Sequence, residues 1–173
     1  MAFIIHNSSQ IMRKHLVDKV VELTGASLFE AIMLKNRVHG CRKSHINVYK
    51  LVKPDEPVIV FEDDCEIIDD SFMNLINEHS STHDLIFFGT VRTFYEDNKV
   101  QVWGTHAMWI SPYAKQCFLK HRPTVPEVDR IWNEVIIKHN LKVWVPPQHD
   151  MYVRQKLGLI STITGTPRID LSK

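Results

Sequence analysis

Short apolar runs of strand character alternate along this chain with segments in which apolar residues recur at helical spacing. Residues 2–5 form an apolar run that predicts a first strand, and a polar turn follows at 6–9. A helix is predicted next, and Gly25 ends it. Its apolar positions repeat every three or four residues, at Met12, Leu16, Val20 and Leu23. The chain therefore opens with a strand and a helix.

A second helix and a strongly apolar strand come next. The helix is predicted over about 41–52, with His45, Tyr49 and Val52 on one face. The prolines within 53–57 break it and turn the chain into the run 58–61, which contains only β-branched and aromatic residues. A short continuous run of this kind is typical of a strand that is buried on both faces. We therefore expect a central strand here.

The same alternation continues along the rest of the chain. Helices are predicted around 72–76 and from Ser111 and Val128 onward. Strands are predicted at 84–88, 100–103, 106–110 and 141–145. A loop-like tail is predicted from Gly158. This order favours an α/β fold, a mostly parallel sheet flanked by helices. No repeat or low-complexity tract divides the chain, and we expect a single domain over 1–173.

The predicted strand at 58–61 ends in three consecutive carboxylates, Glu62, Asp63 and Asp64. Like charges about 4 Å apart repel by roughly 1 to 4 kcal/mol, depending on the local dielectric. No Lys or Arg lies among these acids, so the pattern indicates that a cation offsets the repulsion. Ligands of open α/β sheets bind at the carboxyl ends of strands, and carboxylate oxygens suit divalent ions. The sequence therefore predicts a metal site at this strand end.

A structural explanation of the acids is the alternative. Asp and Glu that follow a strand often lie in solvated turns or cap the next helix, and at 69–71 we expect such a cap. A calcium loop is disfavoured, because the segment lacks the turn glycine and the ligand spacing of an EF-hand.

Composition places the chain among ordinary globular domains and excludes some partners. Hydrophobic residues make up 44% and charged residues 24%, with a formal net charge of +1. Without a basic stretch there is no electrostatic footprint for nucleic acid. No apolar run is long enough to span a bilayer, so any membrane association would be peripheral. Three widely spaced cysteines suit reduced thiols, which favours a cytoplasmic location.

Two further segments carry polar groups of interest. Gly40, Ser44 and His45 lie at the start of the second predicted helix, where backbone N–H groups could face an anion. The alternative there is an ordinary helix entry. Glu127 and Asp129 begin a later helix, where the helix dipole favours acids and where a carboxylate could also serve as a general base.

Taken in order, these elements resemble glycosyltransferase family 25, which contains lipopolysaccharide-biosynthesis and collagen galactosyltransferases. The matching elements are the opening strand and turn at 4–7, Gly40-Cys41 with Ser44-His45, the acid-tipped strand at 58–64, and Gly104, His106 and Ala107 leading to Ser111-Pro112; Asp129 and the tail Ser161-Thr162-Ile163 fit more loosely.

The resemblance implies a compact GT-A-like fold that binds a nucleotide sugar. It also implies that the protein transfers a hexose, most typically galactose, from a UDP-sugar to a glycan or other hydroxyl acceptor, with inversion at the anomeric carbon. It implies that Glu62 and Asp64 hold Mn²⁺ or Mg²⁺ against the donor diphosphate, with His149, or alternatively His106, as a further ligand. An inverting transfer needs a carboxylate base, for which Asp129 is the first candidate and Glu127 the second. The residues expected to contact the nucleotide sugar are Asn7, Gly40, Ser44, His45 and Asp63.

Two other functions remain as alternatives. A degenerate member would bind a nucleotide sugar or carbohydrate without catalysis. Strand-end acids also occur in metal-dependent phosphoryl and nucleotidyl transfer enzymes, although the sequence contains neither a P-loop nor a dinucleotide glycine signature.

Overall fold

The computed structural model describes residues 1–96 and 99–156. The predicted tail from Gly158 and the Ser161-Thr162-Ile163 segment lie outside the described residues. The strands are β1 Ala2–His6, β2 Ser27–Glu30, β3 Val58–Glu62, β4 Cys65–Ile67, β5 Leu85–Phe87, β6 Arg92–Glu96, β7 Lys99–Trp103, β8 Ala107–Ile110, β9 Val143–Trp144 and β10 Val153–Gln155. The α-helices are α1 Lys14–Thr24, α2 Arg37–Leu51, α3 Asn74–His79, α4 Pro112–Lys120 and α5 Val128–His139.

A mixed six-stranded sheet forms the centre of the molecule, in the order β2-β1-β3-β8-β5-β9. Neighbouring strands pair in parallel except around β8, which runs antiparallel to both β3 and β5. Five of the six strands therefore point the same way, and the expected mostly parallel α/β sheet is confirmed. The carboxyl ends of β1 and β3 lie side by side, because Ile5 is in register with Glu62.

Hydrophobic layers cover both faces of this sheet, as the composition of β3 requires. Val60 points to one layer, where Tyr49 of α2 and Trp132 of α5 are buried. Phe61 points to the other layer, where it contacts Phe72 edge to face. Successive side chains of a strand face opposite sides, so an uninterrupted apolar run serves both layers. The expectation of a central strand over 58–61 is confirmed.

Local signals set the ends of several helices as expected. Gly25 follows α1 with a φ of 64°, the left-handed conformation that closes a helix at little cost for glycine. The Ser111 hydroxyl accepts a hydrogen bond from the backbone of Ala114 at the start of α4. Asp69 caps the 3-10 turn Asp70–Met73, as the structural explanation of that acid predicts. Met12 differs from expectation, because it precedes α1 and is exposed.

The second helix begins earlier than its pattern predicts. The Asn36 side chain accepts a hydrogen bond from His39 N and starts α2 at Arg37, rather than near 41. Gly40 consequently lies inside the helix, and its N–H donates to Asn36 O. The expectation that Gly40 lies at the start of the helix is wrong, because three helical residues precede it.

Two small antiparallel sheets lie beside the central one. Strands β6 and β7 form a hairpin, and β10 pairs with β4 directly after the acidic turn. Only β7 of these four strands was predicted. Among the described residues, no helix combines the length and the apolar character that a membrane crossing requires.

Candidate active site

The side chains of the three carboxylates at the end of β3 line a cleft beside the end of β1. Their side chains are well withdrawn from solvent, with exposed fractions of 20% for Glu62, 9% for Asp63 and 2% for Asp64. Other lining residues come from β1, the start of α1, the segment after β2 and α2: Ile5, Asn7, Arg13, Ala31, Ile32, Met33, Leu34, Arg37, Cys41, Ser44 and His45.

Asp63 is held by two groups from the first part of the chain. Arg13, whose side chain is 3% exposed, forms an ion pair with its Oδ1. The backbone N–H of Asn7 donates to its Oδ2 at 2.9 Å. Asn7 Oδ1 in turn accepts from the hydroxyl of Ser9 at 2.7 Å. The middle acid therefore fixes the turn after β1 against the end of β3.

Asp64 connects the same arginine to the last described strand. Its Oδ2 lies 3.9 Å from Arg13 Nη1 and accepts from Gln155 Nε2 at 3.3 Å. Its carbonyl oxygen accepts from the backbone N–H of Lys156 at 2.8 Å. A positive charge from the chain itself thus reaches two of the three acids, which the sequence pattern did not predict.

Glu62 joins a polar chain that runs into the core. Its Oε1 accepts from the Thr105 hydroxyl at 3.0 Å and lies 3.3 Å from His45 Nε2. His45 Nδ1 lies 3.1 Å from the Tyr49 hydroxyl, to which Trp132 Nε1 donates at 3.3 Å. Burial raises the pKa of the Tyr49 phenol far above its usual range, so the phenol keeps its proton.

The helix residues Gly40 and Ser44 contact the cleft wall through Ile32. The Ser44 hydroxyl accepts from Ile32 N at 2.8 Å and donates to Gly40 O at 3.0 Å. A Cβ on Gly40 would lie 2.3 Å from Ile32 O, so only glycine allows this approach. Both residues therefore hold the 31–34 segment against α2.

The two candidate bases lie at the start of α5. Burial raises the pKa of Asp129 above its ordinary 3.8, and the negative charge of Glu62 adds to the effect. The two carboxylates are therefore close enough to interact electrostatically, although Asp129 does not line the cleft. Glu127 precedes the helix, with its Oε2 3.6 Å from Arg130 Nη1.

The candidate metal ligand His149 follows β9. Its Nδ1 lies 2.8 Å from the Thr90 hydroxyl, and its carbonyl oxygen accepts from Thr90 N at 3.1 Å. Thr90 comes three residues after β5, so His149 lies at the carboxyl edge of the sheet. His106, the alternative ligand, is buried directly before β8.

The structure brings most of the predicted residues to one cleft. Its lining includes Asn7, Ser44, His45, Glu62, Asp63 and Asp64; Gly40, Glu127, Asp129 and His149 are not part of it. Sequence reasoning missed three contributors, namely Arg13, Cys41 and Thr105. The spacing of Cys41 and His45, four residues apart on one helix face, is the one signal that could have identified a member of this group.

Comparisons with known proteins show similarity of fold to solved structures and no similarity of sequence. No family model and no curated protein matches its sequence. The fold resembles a mutant of Drosophila β-1,4-galactosyltransferase 7 in complex with manganese, UDP-Gal and xylobiose, with a TM-score of 0.55 and 10% identity over 90% of this chain and 69% of that one.

Two other solved structures share this fold. Protein A197 from STIV has a TM-score of 0.53 and 11% identity, over 84% of this chain and 81% of that one. A putative glucose-1-phosphate thymidylyltransferase from Bacillus anthracis, in complex with a sucrose, has a TM-score of 0.50 and 11% identity, over 83% of this chain and 66% of that one. These likenesses establish the architecture: the chain has the GT-A-like fold shared by glycosyltransferases and nucleotidyltransferases, as expected.

Proposed function

We propose that this chain is a metal-dependent glycosyltransferase that moves a hexose from a UDP-sugar to a hydroxyl acceptor. The observation that carries the proposal is that Glu62, Asp63 and Asp64 line a cleft at the carboxyl edge of a mostly parallel sheet. Open α/β sheets bind their ligands at this edge. The order of sequence elements that resembles glycosyltransferase family 25 points to the same chemistry.

A divalent ion fits the charge of the site. Three carboxylates and the guanidinium of Arg13, which pairs with Asp63, carry a formal net charge of −2, and Arg37 also lines the cleft. Carboxylate oxygens are hard donors suited to Mn²⁺ or Mg²⁺. In the proposal Glu62 and Asp64 hold the ion. His149 would add Nε2, because its Nδ1 already faces the Thr90 hydroxyl. When bound, such an ion stabilises the negative charge that develops on a diphosphate leaving group.

The nucleotide would lie against the wall formed by β1 and α2. Asn7 and Asp63 fix the turn after β1 through the 2.9 Å backbone hydrogen bond between them. Gly40 and Ser44 hold Ile32 in the cleft lining, and His45 orients Glu62. We therefore assign these residues the role of shaping and positioning the donor pocket.

Asp129 is the proposed general base. Inverting transfer requires a carboxylate that removes the acceptor hydroxyl proton as the new glycosidic bond forms. Burial raises the pKa of Asp129, which makes its carboxylate a stronger base than an ordinary one. Glu127 is the second choice, because its Oε2 lies 3.6 Å from Arg130 Nη1 and is engaged in that ion pair.

Galactose is the proposed donor sugar and a glycan the proposed acceptor. Both follow from the family resemblance, and the manganese, UDP-Gal and xylobiose of the Drosophila enzyme structure agree with them. At 10% identity that structure supports the shared fold rather than the specificity, so the donor has to be measured.

Calorimetric titration of UDP and UDP-Gal with and without Mn²⁺ tests the proposal. We expect Mn²⁺ to tighten binding and Asp64→Asn to remove this dependence. Asp70→Asn is the matched control, since Asp70 is an exposed acid in the same acidic segment, and it should keep the dependence. Equal binding of UDP in EDTA would refute the assigned role of the acids.

Product analysis separates transfer from the alternatives. A transferase consumes UDP-Gal and releases UDP, and Asp129→Asn should stop this release without weakening UDP binding. The second candidate is a nucleotidyltransferase, because the fold also resembles a thymidylyltransferase. Such an enzyme would instead release pyrophosphate when it joins a nucleoside triphosphate to a sugar phosphate. Binding with no turnover in either assay would identify a non-catalytic binding module.

A further inference from the structure

A thiol, an imidazole and a carboxylate meet on the inner wall of the cleft. One ligand atom from each of Cys41, His45 and Glu62 lies within 4.8 Å of the other two, and within 1–96 and 99–156 they form the one His/Cys/Asp/Glu group of this kind. Cys41 and His45 are four residues apart in α2 and therefore lie on the same face of the helix. Glu62 reaches them from the end of β3.

The spacing of this group fits a tetrahedral metal. With Zn–N and Zn–O bonds of about 2.0 to 2.2 Å, two such ligand atoms in a tetrahedron lie about 3.3 to 3.5 Å apart. His45 Nε2 and Glu62 Oε1 are already 3.3 Å apart. With a Zn–S bond of about 2.3 Å the sulfur would lie roughly 3.6 Å from either atom, and the Cys41 thiol is within 4.8 Å of both.

The histidine and the glutamate of this group both have hydrogen-bond partners of the kind that orient ligands in metal sites. The Tyr49 hydroxyl lies 3.1 Å from His45 Nδ1, the ring nitrogen that a metal on Nε2 leaves available. The Thr105 hydroxyl donates to Glu62 Oε1 at 3.0 Å. Partners of this kind fix ring orientation and ligand direction, and their loss typically weakens metal binding 10- to 100-fold.

We propose that Cys41, His45 and Glu62 form a binding site for a thiophilic divalent ion, with Zn²⁺ as the expected occupant. Thiolate and imidazole select zinc over Mg²⁺ and Mn²⁺, which prefer oxygen ligands. Three protein ligands leave the fourth position to water or to a group bound in the cleft. The site stands whether or not the chain is a transferase, although it shares Glu62 with the proposed Mn²⁺ or Mg²⁺ site.

Binding has a defined proton balance. The Cys41 thiol loses its proton to solvent as the sulfur–metal bond forms. The metal would occupy Nε2 of His45, so the single ring proton of the bound imidazole lies on Nδ1, where it faces the Tyr49 oxygen. One proton per metal ion is therefore released, which calorimetry in buffers of different ionisation enthalpy measures directly.

Co²⁺ is the probe that reports the ligands, since a thiolate on cobalt gives a near-ultraviolet charge-transfer band. We expect the intact chain to show this band at one Co²⁺ per molecule and Zn²⁺ to remove it by displacement. Cys41→Ser should abolish the band. Cys117→Ser is the matched control, because Cys117 is a buried thiol on α4, and it should leave the band unchanged.

Thr105→Val tests the supporting hydrogen bond while the three ligands remain. It should keep the cobalt band and weaken Zn²⁺ binding about 10- to 100-fold. Absence of the band in the intact chain, or its survival in a folded Cys41→Ser variant, would overturn the proposal. Mn²⁺-dependent UDP binding by Cys41→Ser separates this outcome from failure of the transferase proposal, because Cys41 is not a ligand of the Mn²⁺ site.

Discussion

Arg13 and Asp63 form an ion pair in the wall of the cleft, with side chains only 3% and 9% exposed to solvent. The pair connects the start of α1 to the turn after β3, and Asp64 lies 3.9 Å from the same guanidinium. The sequence pattern of three acids predicts that a metal ion supplies all of the compensating positive charge. The structure shows that the buried arginine supplies part of it. The arginine also leaves the site with enough negative charge for one divalent ion.

Removing this arginine should destabilise the fold strongly. Arg13→Met deletes the guanidinium and leaves Asp63 and Asp64 with an uncompensated buried charge, which typically costs about 3 to 5 kcal/mol. For a chain of this size the Tm should fall by roughly 10 °C. Thermal unfolding followed by circular dichroism measures this change.

The neighbouring Lys14 offers a matched control for that experiment. Its ion pair with Asp18 is exposed, with side-chain exposures of 72% and 58%, so Lys14→Met should change stability by less than about 0.5 kcal/mol. If Arg13→Met unfolds at the same temperature as the control, the ion pair does not support the site.

Gly40→Ala should destabilise the protein, although the same change stabilises most helices by about 0.5 to 1 kcal/mol. The new methyl group would lie 2.3 Å from Ile32 O, so α2 and the 31–34 segment must separate. We expect a loss of about 1 to 3 kcal/mol, typical of overpacking, together with weaker UDP binding. Urea unfolding and calorimetric titration test the two effects.

An exposed position on the same helix controls for helix propensity. Lys43 lies three residues further along α2 and faces solvent, so Lys43→Ala should leave both stability and UDP binding nearly unchanged. A Gly40→Ala variant as stable as the parent would mean that the close approach of Ile32 to α2 does not restrict this position.

Periodicity predicted the elements that bury continuous apolar surface, and it missed those that do not. The runs at 2–5 and 58–61 became β1 and β3, because core strands must be apolar. Strand β2, at Ser27–Glu30, is an edge strand with mostly exposed side chains, and β10 is a three-residue partner of β4. Pairing of this kind is set by tertiary contacts rather than by local composition.

The same distinction explains what could be foreseen of the site. Three consecutive acids after a buried strand are visible in the sequence, and their place in the cleft was predictable from the fold class. Arg13 is 50 residues away from Asp63 along the chain, so only the folded arrangement of α1 and β3 brings them together. Gly40 was selected from the sequence as a residue that could face an anion, and the structure shows it packed closely against Ile32.

The stability of the protein should depend on the charge of Asp129. Because burial raises the pKa of Asp129 above 3.8, the folded state loses stability as pH rises from that value through the raised pKa. Asp129→Asn removes this loss. We expect the variant to be at least as stable as the parent at neutral pH and to gain relative to it between acidic and neutral pH, while losing transfer activity.

Thermal unfolding at a series of pH values measures this difference, with Asp70→Asn as the exposed control. The control should follow the parent across the series. A variant at Asp129 whose stability difference from the parent stays constant with pH would show that the carboxylate is solvated like an ordinary one, and its role as the base would lose its support.

Glu66 should show the opposite dependence on pH. Burial alone would raise the pKa of Glu66, but hydrogen bonds from Lys156 and Arg154 outweigh it and hold that pKa below its ordinary 4.5. The stability from these contacts is therefore present above 4.5 and is lost as pH falls through the lowered pKa. Glu66→Gln should reproduce the loss at neutral pH, at about 0.2 to 1 kcal/mol for each partly exposed pair.

Loss of the Glu66 ion pairs should also affect Asp64, because β10 and the residue after it make hydrogen bonds to Asp64. Gln155 Nε2 donates to Asp64 Oδ2 at 3.3 Å, and Lys156 N donates to its carbonyl oxygen at 2.8 Å. Loosening β10 from β4 should therefore weaken the Mn²⁺ dependence of UDP binding in Glu66→Gln. Glu22→Gln, which removes only an exposed pair with Lys19, should leave it intact. Unchanged Mn²⁺ dependence in Glu66→Gln would show that Asp64 keeps its position without the ion pairs between β4 and β10.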